Sequence, residues 1–170
     1  EVTNSGTITG TVAAVMVENG DRILLTNTGT LNGDVLCKSV GQKDKIVNSG
    51  TINGDVFLGS GNDTFKGKGG KADAVFGEDG KDRIIGGIES ETFTGGPGKD
   101  IFVFSAPLDA VSNVDTITDF NVKKEIIELD NSIFKSLKKE GVLDGKYFDI
   151  GSKAGDKNDY LVYDKVTGFL

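Results

Sequence analysis

Between Gly59 and Val103 the large apolar residues keep a fixed relation to the acidic ones. Phe65 follows Asp63 by two places, Ile84 follows Asp82 and Phe102 follows Asp100. Interleaved with these, Val75 follows Asp73 and Phe93 follows Glu91. A glycine-rich run precedes the best-kept acids, as in Gly59-Ser60-Gly61-Asn62, Gly77-Glu78-Asp79-Gly80 and Gly95-Gly96-Pro97-Gly98. Glycines permit a tight turn with positive φ and a close backbone approach, and residues two apart on a strand share a face. Each unit of about nine residues therefore predicts a turn and a short strand with its apolar residue inward. Two units make a coil, and residues eighteen apart stack. A flexible Gly/Asp-rich loop, the alternative, has no reason to keep an apolar residue two after every acid.

On this arithmetic Asp63, Asp82 and Asp100 form one acidic file, and Asp55, Asp73, Glu91 and Asp109 another. Phe65, Ile84 and Phe102 are expected inside on one side, and Phe57, Val75 and Phe93 on the other. Stacked carboxylates about one strand spacing apart, ~4.8 Å, repel one another unless a cation sits between rungs. Ca²⁺ suits the place because it accepts 6–8 oxygens, from carboxylates and carbonyls, in flexible geometry.

Residues 1–58 carry a second repeat. Asn4-Ser5-Gly6-Thr7-Ile8, Asn27-Thr28-Gly29-Thr30-Leu31 and Asn48-Ser49-Gly50-Thr51-Ile52 recur at spacings of 23 and 21. They predict larger coils with Ile8, Leu31 and Ile52 inside, and with Asn4, Asn27 and Asn48 stacked at a turn, their amides hydrogen-bonded up the column. A sugar-binding strip is the other reading of that asparagine file. Asp21 and Asp44 are expected to extend the file of Asp63, although Gly20 and Gly41 alone do not rebuild a calcium turn. Beyond residue 104 the repeat stops. Short strands are expected near Asn113–Phe120, Glu125–Leu129, Tyr147–Ile150 and Tyr160–Asp164. A helix is expected over Asn131–Glu140, capped by Ser132 and ended by Gly141, and a hairpin turn at Val166–Gly168.

The fold class expected is all-β: a parallel β-roll or β-helix solenoid with a small mixed β/α C-terminal cap. Its divisions are 1–58 (degenerate coils), 59–104 (calcium-type repeats) and 105–170 (cap). A cap is needed because an open solenoid end exposes apolar surface and an unpaired strand edge.

Net charge of −7 argues against nucleic acid and anionic membranes as partners. No apolar run approaches a membrane span. With no His and a single Cys, the chain cannot build His-based metal sites, Ser-His-Asp or Cys-His catalysis, or an internal disulfide. Cys37 is expected to be a half-buried small hydrophobe. Gly67-Lys68-Gly69-Gly70-Lys71 lacks the spacing of a phosphate loop. The chain opens on Glu1 with no signal-peptide pattern, and an excised or processed piece is expected.

The nonapeptides resemble the G-G-x-G-x-D-x-U-x calcium-binding repeat of RTX proteins, secreted by Gram-negative bacteria. The run from Phe102 through Asp115-Thr116-Ile117-Thr118-Asp119-Phe120 to Asp159-Tyr160-Leu161-Val162-Tyr163 resembles the C-terminal cap of serralysin-type metalloproteases and many other RTX proteins. Together the resemblance covers roughly residues 59–165, and it implies ions lying between consecutive turns. One would lie between Asp82 and Asp100 with carbonyls of Gly77, Asp79, Gly96 and Gly98, and one between Asp63 and Asp82 with Gly59 and Gly61. A third would lie between Asp73 and Glu91, although Lys71 and Glu89 stand where that pattern has glycine. Asp115 and Asp119 would help hold the last ions or be merely solvated. Family members usually continue past the last hairpin, so the end of the cap is expected to be missing here.

The resemblance implies a monomeric, secreted module, exported by a type I system, that folds on binding Ca²⁺ and has no catalysis of its own. The alternatives are a module that binds a polysaccharide or cell surface, and the C-terminal piece of a larger protease, lipase or epimerase.

Overall fold

The computed structural model describes residues 1–18 and 20–170. It is a parallel β-solenoid followed by a small separate unit, and the two compact units divide at Leu129/Asp130. In the first unit the chain alternates between two seven-stranded sheets. One sheet stacks Val2–Asn4, Leu24–Asn27, Lys45–Asn48, Thr64–Lys66, Arg83–Ile85, Ile101–Phe104 and Ile126–Leu129 in that order. The other runs from Thr7–Val17 through Thr30–Cys37, which pairs with both Thr51–Asn53 and Val56–Phe57, to Ala74–Phe76, Thr92–Thr94 and Thr116–Ile117. All these pairings are parallel. The stacking thus runs past the expected boundary at 104, because Thr116–Ile117 and Ile126–Leu129 add one more rung to each sheet.

The core is the file of inward residues. Leu25, Ile46, Phe65, Ile84 and Phe102 are fully buried along one sheet, and Leu31, Ile52, Val56, Val75 and Phe93 along the other. A fully buried side chain of this size contributes roughly 1.5–3 kcal/mol. One expected inward residue is corrected. Val75 pairs with Val56, and Phe76 with Phe57, so Val56 faces in while Phe57 faces out and stacks on Phe76 at 4.8 Å. The coil holding Asp55 and Asp73 is nineteen residues long rather than eighteen at this point, and a one-residue slip turns a strand residue to its opposite face.

The asparagine file is present. Asn4 Nδ2 donates to Asn27 Oδ1 and Asn27 Nδ2 to Asn48 Oδ1, both at 2.8 Å, and Asn48 Nδ2 ends the file on the Lys71 carbonyl. All three asparagines are buried. Each amide has a fixed partner in the next coil, which satisfies groups that are costly to leave unpaired. Cys37 is also fully buried rather than half-buried, and burial pushes its thiol up to about 12.

The second unit, Asp130–Leu170, holds a short 3-10 turn at Gly145–Tyr147 and a parallel pair of strands, Phe148–Ile150 with Leu161–Tyr163. Tyr147 and Tyr160 stack at 5.1 Å beside that pair. The expected helix over 131–140 is absent, and the segment forms a succession of turns. Asp130 supplies the reason. Its carboxylate accepts the Ser132 amide and its carbonyl accepts those of Ile133 and Phe134. Side-chain bonding of this kind competes with helix, and an isolated helix of about ten residues is marginal in any case. Val166–Gly168 forms the expected turn, closed by Gly168 N–H on the Asp164 carbonyl and by Asp164 N–H on the Phe169 carbonyl.

Candidate cation site

The file Asp44–Asp63–Asp82–Asp100 is in register. Pairing of Lys45 with Thr64, Thr64 with Arg83 and Arg83 with Ile101 places the four acids directly above one another. All four are buried. Each offers one carboxylate oxygen to the main chain of the coil before it. Asp44 N–H donates to Asp63 Oδ1 at 2.7 Å, Asp63 N–H to Asp82 Oδ1 at 2.8 Å and Asp82 N–H to Asp100 Oδ1 at 2.9 Å. Ile23 N–H donates to Asp44 Oδ1 at 2.8 Å. Asp21 is therefore not in the file, because the longer first coil brings Ile23 to that rung and leaves Asp21 exposed.

The second oxygens set the chemistry. Among the described residues, and apart from Asn113 Oδ1, the buried side-chain oxygen and nitrogen atoms lacking a hydrogen-bond partner are Asp63 Oδ2, Asp82 Oδ2, Asp100 Oδ2 and Glu91 Oε1. A buried carboxylate oxygen without a partner is costly and is relieved by a proton or a cation. Burial accordingly pushes Asp63 up to about 6 and Asp82 up to about 8, with the neighbouring acids adding to the shift. Burial also raises Asp100, to which Glu125 and Asp119 contribute.

The glycine turns run close against these oxygens. A side chain at Gly77 would meet Asp82 Oδ2 at 2.7 Å and the Gly95 carbonyl oxygen at 2.5 Å, and one at Gly95 would meet Asp100 Oδ2 at 2.7 Å. Gly61, Gly80 and Gly98 are bridged in register, each carbonyl directed at the next glycine. Gly59, Glu78 and Gly96 share a left-handed turn position, with φ of 84, 66 and 90°. Gly96 therefore stacks on Glu78 rather than on Gly77, and the glycine level with Gly77 is Gly95. The leading glycine of the Gly95-Gly96 pair was the sequence signal for Gly95. The Asp79 carbonyl accepts the Gly61 amide at 2.8 Å.

The other side is less regular. Asp73 lies level with Glu91, and Glu91 with Asp115, but Asp73 is exposed. Glu91 is buried, accepts Gly87 N–H through Oε2 at 2.6 Å, and donates its own N–H to Asp115 Oδ1 at 3.0 Å. Burial pushes Glu91 up to about 8 and Asp115 up to about 6. Asp109 is not a rung. Its carboxylate caps a surface turn, accepting the amides of Val111 and Ser112, because the chain between Thr94 and Thr116 is longer than a regular coil. Asp55 leaves this file too: its amide donates to Asp34 Oδ1 at 2.9 Å. Lys71 and Glu89 form an ion pair at 3.6 Å. Asp119 grips the Gly95 and Gly96 amides with its two oxygens, at 2.9 and 2.7 Å.

Among the described residues no three His, Cys, Asp or Glu side chains converge to hold a metal ion. An ion on either side would therefore take two carboxylates at most and draw its remaining ligands from carbonyls and water. No described helix is long and apolar enough to cross a membrane. No protein-family model, curated protein or solved structure matches the chain.

Proposed function

We propose that the solenoid is a calcium-binding module whose C-terminal coils reach full stability only with the ion. The observation that carries this reading is the buried file Asp63, Asp82 and Asp100, in which every Oδ1 is held by an amide and every Oδ2 has no partner. Those three oxygens, with turn carbonyls such as that of Gly95, would hold the ions on one side. Glu91, with Asp115, would hold one on the other. Hard oxygen donors of this kind suit Ca²⁺ better than a soft metal. The bound cation would supply the positive charge that the stacked carboxylates lack, and its binding free energy becomes folding free energy.

Sites of this kind with Kd on the order of 10⁻⁴–10⁻³ M would fill outside a cell and stay empty in cytoplasm. That fits a secreted module. A polysaccharide platform is less well supported. Phe57 and Phe76 stack face to face along the solenoid and so turn ring edges, not faces, outward.

The test is a calcium titration of the whole chain, followed by circular dichroism and thermal melting, with Mg²⁺ and chelator as controls. Millimolar Ca²⁺ is expected to add β signal and raise the melting temperature. Indifference of both to Ca²⁺ would remove the reading.

A further inference from the structure

At three of the four rungs of the acidic file, the residue five places before the acid lies against its outer carboxylate oxygen. Gly77 stands there for Asp82 and Gly95 for Asp100, and at both a Cβ would fall 2.7 Å from Oδ2. Leu58, fully buried, stands there for Asp63. For Asp44 the residue is Ser39, also buried, and its hydroxyl donates to Asp44 Oδ2. Asp44 is thus the one acid of the file with both oxygens engaged, Oδ1 by the Ile23 amide and Oδ2 by Ser39. The same contrast divides the solenoid. Among the described residues before Leu58, the buried polar side chains Asn4, Asn27, Ser39, Asp44 and Asn48 are all hydrogen-bonded. Every buried side-chain atom without a partner lies after it.

Resting on the calcium reading above, we infer that Ser39 occupies beside Asp44 the place a divalent cation takes beside Asp82 and Asp100. The file of ions therefore stops at Asp63, and the coils before it fold without metal. A hydroxyl donor satisfies one carboxylate oxygen as a neutral partner, so the sealed rung offers no free oxygen to an ion. The sealed coils then present a finished strand edge on which the metal-dependent coils stack, which spares those coils the costly first step of a repeat array.

The experiment is native mass spectrometry of the full chain in calcium, comparing the parent with Ser39→Gly, which copies Gly77 and Gly95, and Ser39→Thr, which keeps the hydroxyl. Ser39→Gly is expected to bind one ion more than the parent and Ser39→Thr the same number. Equal counts for the parent and Ser39→Gly overturn the role of Ser39 while leaving the calcium reading intact; a parent that binds no calcium overturns both. Hydrogen exchange of the parent in chelator tests the same point should Ser39→Gly fail to fold. The Ile23 and Lys45 amides are expected to be protected while those of Asp63 and Asp82 exchange fast. Uniform exchange across the solenoid refutes a metal-independent first half.

Discussion

Replacing Asp82 by Asn should reverse its effect on stability according to whether calcium is present. Asp82 is 1% exposed, accepts the Asp63 amide through Oδ1 and leaves Oδ2 without a partner. Burial pushes its carboxyl up to about 8, so at neutral pH without metal the folded protein retains a proton that the unfolded chain releases. Holding that proton at neutral pH costs at most about 4 kcal/mol, from 1.36 kcal/mol per pH unit above the ordinary carboxylate value. Asn keeps the acceptor for the Asp63 amide and never ionises, but its NH₂ replaces the lone oxygen and costs about 1–3 kcal/mol if unpaired. Without metal, Asp82→Asn should therefore be about 1–3 kcal/mol more stable than the parent. In millimolar calcium the order should invert, because the variant lacks a carboxylate shared by two neighbouring rungs. Urea melts in chelator and in calcium read both numbers. A variant less stable than the parent in chelator, with an undiminished calcium increment, would refute the reasoning.

Four further outcomes follow from the same geometry. The folded-state values of Asp63, Asp82, Glu91 and Asp115 all lie above the ordinary range. Without metal their contribution is therefore intact below about pH 4 and is lost as pH rises towards about 8, which thermal melts against pH in chelator will show. Glu78 holds a left-handed turn position that Gly59 and Gly96 also occupy, so Glu78→Gly should stabilise by about 0.5–1 kcal/mol in a urea melt. Asn27→Ala leaves Asn48 Oδ1 without its donor inside the solenoid, while Asn4 Nδ2 keeps the Gly6 and Thr30 carbonyls, and should cost about 1–3 kcal/mol with or without calcium. Arg83→Ala removes a half-exposed ion pair with Glu128 at 2.7 Å and should cost no more than about 1 kcal/mol.

The local period alone determined much of the molecule. Asp63, Asp82 and Asp100 stand in one file with Phe65, Ile84 and Phe102 inside, and Asn4, Asn27 and Asn48 bond up their column, because each coil repeats a short local pattern and its neighbour copies the register. Tertiary structure decided what happens wherever the coil length changes. The longer first coil put Ile23 on the rung expected for Asp21. The nineteen-residue step turned Phe57 outward, and the long loop before Thr116 made Asp115 rather than Asp109 the rung above Glu91. A strand residue reverses its face with a slip of one, and how a turn absorbs an inserted residue is settled by packing between coils, not by the turn's own sequence. Ser39 was invisible to the sequence for the same reason: its hydroxyl meets Asp44 only once the turn between them has closed.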